Sequence, residues 1–375
     1  MKVLITDYHI GCQMWQYSVL KQLNCDVEIY SLSGHTHYLD MSNIPYKKID
    51  SNYYKNNIDS LLNFDIFIIS FWPSHAIYPF NFIEFCEKYN KKLILNCGHR
   101  FNIHTNPNIH ENMIDSLSII KNSSKHILAV MSEYDYHYIK HYTGINSQKL
   151  YVYSHHIPKH ITNQNIIDSN KINTILIGPA HNTIQIDPFT NLNELNELSK
   201  HASISQFSNF INFNFIKNLH PSYNYTDLIN YKACIIYPYS AFSISTVEIY
   251  NLNIPIIVPS IELLIQYKIC NDVCLFPLYC SEKDYQLLNY KNNKTEYNYS
   301  PNSYNNVDLQ FWLQYIYVYN KKNTIIFNSK EDLINKIYTI NFDNIRNEMI
   351  KENDIERIYS LKAWKNMIDP DLPTL

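Results

Sequence analysis

Residues 233–260 read ACIIYPYSAFSISTVEIYNLNIPIIVPS, and this stretch joins two strand signals, a helix start and a cluster of hydroxyls in one connected unit. The run from Ala233 to Tyr237 is short, apolar and closed by Pro238, and the run from Pro255 to Val258 is closed by Pro259, so both read as buried strands. Between them, Ser245-Thr246-Val247-Glu248 has the spacing of a capping box, in which the serine oxygen accepts from a backbone N–H and the glutamate reaches back to the cap. The expected unit is strand, helix, strand. In such units the connections at the carboxyl ends of parallel strands collect ligands. Here that connection places Ser240, Ser243, Ser245 and Thr246 before a helix N-terminus, which favours an anion such as phosphate. The same residues suit plain helix capping, with Glu248 serving only the box, and this stretch taken alone favours that plainer reading.

The order of these hydroxyls, then Glu248, a short helix and Asn253-Ile254-Pro255-Ile256-Ile257-Val258-Pro259 resembles the C-terminal donor-binding motif of GT-B glycosyltransferases. The likeness is to the retaining family-four enzymes (glycosyl transferases group 1) in particular. There a glutamate at the start of this helix contacts the ribose of a sugar nucleotide, and a Gly-x-Pro turn leads into the next strand. Glu248 and Pro255 match; Ser240 stands where the motif has an earlier glutamate, and Asn253 where it has glycine. The resemblance implies an α/β protein of the GT-B class, two Rossmann-like domains with parallel sheets facing across a cleft. It also implies a metal-independent transfer of a sugar from a nucleotide-diphosphate sugar to a glycan, lipid or protein acceptor.

Length and composition agree with such a chain. At 375 residues it exceeds what one hydrophobic core usually serves, so two domains are expected. A net charge of −3 without a basic stripe gives no reason to expect a nucleic-acid partner. The start MKVLITDYHI lacks the apolar core of a signal peptide, and no apolar run approaches the roughly 20 residues that span a bilayer, so no transmembrane segment and a cytoplasmic location are expected. The eight cysteines form no Cys-x-x-Cys pair; Cys270, Cys274 and Cys280 are close together, but Cys274 lies in the apolar run Val273 to Phe276, which favours core packing over a metal.

The first domain is expected over 1–160, with strands at 2–7, 26–32, 65–70, 92–96, 126–131 and 149–153 and helices at 12–23 and about 76–89. Gly11 falls between the first strand and helix, where it permits a tight turn or a close ligand. The absence of G-x-G-x-x-G argues against a nicotinamide or flavin site. Ser132 with Asp135 caps a further helix that Gly144 closes. A polar linker follows over 161–172. The donor domain is expected over 173–350, with strands at 173–177 and 325–327 and helices at 193–200, 225–231, 261–267, 307–319, 330–340 and 344–367. By the resemblance, residues 351–375 pack back on the first domain, with Trp364 as the docking residue.

The resemblance also assigns roles. Gly178, His181, Lys217, Tyr239, Ser240, Ser243, Ser245, Thr246 and Glu248 are the donor-binding candidates, with Glu248 at the ribose. His99 follows a first-domain strand where family-four enzymes carry a histidine facing the sugar, and Arg100 beside it suits an acceptor hydroxyl or carboxylate; these two are the catalytic candidates. His9 and Gly11 lie on the acceptor side. No cofactor beyond the sugar-nucleotide co-substrate is expected, and no metal, since no Asp-x-Asp closes a strand. Two alternatives remain. One is a catalytically divergent sugar- or nucleotide-binding protein on the same fold; the other is a sugar-nucleotide 2-epimerase, which calls for several carboxylates where few are found.

Overall fold

The computed structural model describes residues 1–7, 10–32, 43–50, 52–70, 73–78, 80–98, 101, 107–162, 173–178, 191–205, 209–238, 240–266, 297–301 and 305–371. The chain divides into two compact units. The first comprises 1–156, 277–300 and 357–375, and the second 157–276 and 301–356. Each is an α/β unit built on a parallel sheet, a Rossmann-like arrangement. The expected linker falls almost wholly on 163–172, outside the described residues.

Among the described residues the first unit holds seven strands: β1 (Lys2–Asp7), β2 (Asp26–Ser31), β3 (Lys47–Lys48), β4 (Ile66–Ser70), β5 (Lys92–Cys97), β6 (Ile127–Val130) and β7 (Gln148–Lys149). Their order is β3-β2-β1-β4-β5-β6-β7, so the topological switch lies between β1 and β4. Strands such as IFIIS in β4 are buried at every position, as a parallel sheet covered on both faces requires. Helices α1 (Ile10–Gln22), α2 (Phe82–Lys88), α3 (Pro107–Asn122) and α4 (Glu133–Thr143) connect them. Both ends of α4 follow the sequence reading. Ser132 Oγ accepts from the Asp135 N–H at 3.1 Å, and Gly144 closes the helix at φ 67° with its N–H on the Lys140 carbonyl. Only a residue tolerant of the left-handed region ends a helix this way cheaply.

The second unit holds β8 (Thr174–Ile177), β9 (Asn212–Phe215), β10 (Ala233–Ile235), β11 (Ile256–Pro259) and β12 (Ile325–Phe327), in the order β12-β11-β10-β8-β9. Its helices include α5 (Leu192–Ser205), α6 (Ile216–Leu219), α7 (Tyr225–Leu228), α8 (Ile244–Asn251), α9 (Ile261–Gln266), α10 (Asn306–Leu313) and α11 (Lys330–Thr339). Ile175, Ile235, Ile257 and Phe327 from four strands meet Leu195, Leu333 and Ile337 from α5 and α11 in one core. The last helix, α12 (Phe342–Ile368), belongs to the second unit up to Glu356 and to the first from Arg357. Within the first unit, Trp364 meets Trp15 of α1 edge to face, centroids 5.4 Å apart, and both are fully buried. Among the described residues no helix is long and apolar enough to cross a membrane.

Several boundaries move. Gly11 is the second residue of α1 and not part of a connecting turn. In the first helical turn the backbone N–H groups have no intrahelical acceptor in any case, so glycine is tolerated there. The helix expected over about 76–89 is split into a 3₁₀ turn at Pro73–Ala76 and α2, because Asn81 takes the N-cap by accepting from the Glu84 N–H at 3.1 Å. The strand expected at 149–153 pairs only over Gln148–Lys149, and α10 stops at Leu313 before a separate 3₁₀ turn, Tyr317–Asn320. Four labelled elements, β3, α3, α6 and β9, have no counterpart in the sequence reading.

Candidate functional site

The strand, helix, strand unit of the opening stretch exists as β10, α8 and β11. Its position matters more than its existence. Strand β10 lies between β11 and β8, so the chain leaves β8 for one edge of the sheet and β10 for the other, which makes this pair the switch point. Crevices at the carboxyl ends of such strands are where open α/β sheets bind ligands. Gly178 ends β8 there, and its N–H donates to the Ile235 carbonyl of β10 at 3.0 Å.

Gly178 is fixed by packing rather than by backbone conformation. A Cβ built on it would stand 2.7 Å from Ile216 Cδ1 and 3.1 Å from Ile216 Cγ1. Gly178→Ala is therefore expected to cost about 1 kcal/mol, since the isoleucine tip has to move. Ile216→Val removes Cδ1 and should recover most of that loss, which chemical denaturation of the single and double variants would measure.

The start of α8 departs from the expected capping box. The helix begins at Ile244 with Ser243 as N-cap, so Ser245 is its second residue and Glu248 lies one turn further in. Ser243 makes no side-chain capping bond; its hydroxyl pairs with that of Ser245 at 2.8 Å instead. The Ser243 carbonyl already accepts from the Thr246 and Val247 N–H groups, at 3.1 and 3.2 Å. The box fails for a geometric reason: with the entry two residues earlier, Glu248 cannot reach back to the cap. Its Oε1 accepts from the Tyr225 hydroxyl of α7 at 3.0 Å. A true reciprocal box opens α7 instead, where the Asn224 N–H donates to Asp227 at 2.8 Å.

Ser240, Ser243 and Thr246 line a small recess together with Pro238, Phe242 and Tyr317, with room inside for about one water molecule. Ser240 is buried and its hydroxyl donates to the Phe242 carbonyl at 2.6 Å, which fixes the turn before the helix. Thr246 is buried and Ser243 half-buried. Tyr317 is tied to the same turn by its N–H on the Ala241 carbonyl at 3.0 Å, and its ring stands edge-on to Phe242. Burial, reinforced by Glu356, keeps the Tyr317 phenol protonated. Burial likewise raises the Cys234 thiol beneath the site and the Tyr237 phenol, so neither supplies a nucleophile. The nearby Lys321 is paired with Glu356 and covers the rings of Tyr250 and Tyr317.

The structure thus brings Ser240, Ser243 and Thr246 together, with Ser245 bonded to Ser243, while Glu248 sits a turn along the same helix and Gly178 ends the neighbouring strand. Lys217 is exposed on α6 and is not among the residues that line the recess. His9, His99, Arg100, His181 and Tyr239 lie outside the described residues, as do Cys270, Cys274 and Cys280. Tyr225 and Tyr317 are neighbours that the sequence reading passed over. Tyr225 had a legible signal, standing at the first position of a helix whose Asn224 and Asp227 have cap spacing; Tyr317 had none. No protein-family model matches the chain, and no curated protein matches it.

Proposed function

We propose that this chain is a GT-B glycosyltransferase that moves a sugar from a nucleotide-diphosphate sugar to a glycan, lipid or protein acceptor without a metal ion. The observation that carries the reading is the start of α8. It lies at the switch point of the second sheet, its N-cap serine makes no side-chain capping bond, and four hydroxyls stand before or within its first turn. Two parallel α/β units in one chain support it further. The diphosphate would be held by the N–H groups of Ile244 and Ser245 and by the hydroxyls of Ser243, Ser245 and Thr246, with the helix dipole favouring its charge. Glu248, oriented by Tyr225, would accept from the ribose hydroxyls. His99 and Arg100 are the candidates for the sugar and the acceptor. Stabilising the departing diphosphate is the part of the chemistry that such a helix start performs, because charge grows there in the transition state.

Incubating the protein with uridine, guanosine and adenosine diphosphate sugars tests the proposal. Release of nucleoside diphosphate that depends on an added acceptor supports transfer. An isomerised donor would point to an epimerase, and thermal stabilisation without turnover to a binding protein. Glu248→Ala is expected to weaken binding of the nucleotide about tenfold. The same variant should lower stability by only about 1 kcal/mol, the worth of its bond to Tyr225. Calorimetric titration and urea denaturation separate the two; equal losses would mean that Glu248 serves the fold alone.

A further inference from the structure

A second group of polar side chains, in the first unit, is buried more deeply than the α8 hydroxyls. Ser70 of β4 and Asn96 of β5 are register partners on adjacent parallel strands, so their side chains project from the same face of the sheet. Gln16 of α1 reaches this pair, donating from Nε2 to Ser70 Oγ at 2.5 Å. Ser70, Asn96 and Gln16 are all 0% exposed. Yet among the described residues Oδ1 and Nδ2 of Asn96 and Oε1 of Gln16 have no hydrogen-bond partner.

A primary amide carries two donors and two lone pairs. Leaving one buried and unmet costs about 1–3 kcal/mol per group, which is why such atoms in folded proteins are met by water or by a ligand. The position of the cluster favours a ligand. Ser70 is the last residue of β4 and Asn96 the last but one of β5, and β4 flanks β1 at the topological switch of the seven-stranded sheet. The carboxyl ends of strands at a switch are the ligand-receiving edge of this architecture. None of the three side chains is charged, so the cluster selects a neutral guest. An amide that accepts through oxygen and donates through nitrogen, beside a second amide oxygen and a hydroxyl, complements adjacent hydroxyl groups, each of which both donates and accepts.

We propose that Asn96, Gln16 and Ser70 form the floor of a subsite for adjacent hydroxyls of a neutral polyol or sugar ring. Water satisfies the amides in the free protein, and the guest's hydroxyls displace that water while reproducing its hydrogen bonds. This site is independent of the nucleotide reading of the second unit.

The test uses the full chain, with glucose, galactose, mannose, N-acetylglucosamine and myo-inositol as probes. Thermal melts and the side-chain amide resonances of ¹⁵N-labelled protein are the readouts. At least one probe is expected to raise the melting temperature in a saturable way and to shift the Asn96 and Gln16 amide signals. Asn96→Leu should weaken that response about tenfold, the size of one lost hydrogen-bonded pair. Gln16→Met provides a second variant should Asn96→Leu fail to fold. Absence of a saturable response to every probe would overturn the proposal and mean that the amides hold only water. A response unchanged in the variants would overturn it equally. Nucleoside diphosphate binding, read separately on Glu248→Ala, fails or survives independently of these results.

Discussion

Lowering the pH from 7 to about 4.5 is expected to strip the first unit of much of its stability, through histidines that the fold keeps neutral. Burial pushes the imidazoles of His75 and His141 down to about 4 and that of His155 to about 3, where Arg357 and His156 add like charge. Burial also lowers His126, against the opposing pull of Glu87. All four belong to the first unit. In the unfolded chain these groups take up protons as pH falls through about 6.5, whereas in the folded protein His75 and His141 do not until about 4 and His155 not until about 3, and His126 is held back in the same direction. The unfolded state therefore binds more protons throughout that window. The stabilisation is complete above about pH 6.5 and declines as pH drops toward the folded values.

For His155, 7% exposed and held between Tyr153 and the Ser360 hydroxyl, the loss by pH 4.5 is about 3 kcal/mol, from about 1.4 kcal/mol per unit of pH. The other three act in the same direction, against a domain stability of only about 5–15 kcal/mol. Urea denaturation followed by tryptophan fluorescence, with the Trp15–Trp364 pair reporting on the first unit, measures the effect. Stability that stays level from pH 7 to 4.5 would contradict it. His155→Gln, which keeps a partner for Ser360 and takes up no proton, should flatten part of the slope.

The second large effect concerns how α8 is anchored. Asn353 of α12 donates to the Tyr250 carbonyl at 2.9 Å and to Asn253 Oδ1 at 2.6 Å, and accepts from Asn251 Nδ2 at 2.8 Å. Asn253 in turn donates to the Thr162 carbonyl at 2.9 Å. All three asparagines are buried. Asn353→Ala would remove the Asn353 bonds of the Asn251 amide donor and of the Asn253 amide oxygen in the interior, while the Tyr250 carbonyl keeps the Asn253 N–H, and a loss of about 2–4 kcal/mol is expected. A loss below about 1 kcal/mol would show that water replaces the side chain.

Asn253 adds a separate backbone requirement, because its φ is 59°, in the left-handed region. Asn253→Gly keeps that conformation and loses only the side-chain bonds. Asn253→Ala loses both and should be about 1 kcal/mol worse. Because Asn251 is the last residue of α8, these changes should also loosen the helix whose first turn carries the candidate site.

This position shows how the sequence encoded more than its spelling suggested. Asn253 stands where the resembled motif has glycine, and the structure gives it the backbone conformation for which glycine is used; asparagine is the side chain that tolerates it best. The apolar runs closed by proline were legible as β10 and β11 because burial on both faces leaves little choice of residue. Ser132 and Gly144 were legible because caps act through local chemistry. Other features depend on distant partners. The spacing Ser245 to Glu248 mimicked a box, but the helix entry was set by the Ser240 and Tyr317 contacts of the preceding turn, and Tyr225 claimed the glutamate. The amphipathic α3 carries Met113, Leu117 and Ile120 at helical spacing, a signal present in the sequence and passed over. The Ser70, Asn96 and Gln16 cluster could not be read at all, because strand register and a helix crossing bring residues far apart in the chain together.

The account depends above all on the first turn of α8 receiving the diphosphate of a nucleotide. A structure of the protein with a bound nucleoside diphosphate, chosen as the tightest binder among UDP, GDP and ADP, decides this. The expected result places phosphate oxygens within hydrogen-bond reach of the Ile244 and Ser245 N–H groups, with the ribose at Glu248. A nucleotide seated elsewhere, with no phosphate oxygen near the Ile244 and Ser245 N–H groups, would contradict it.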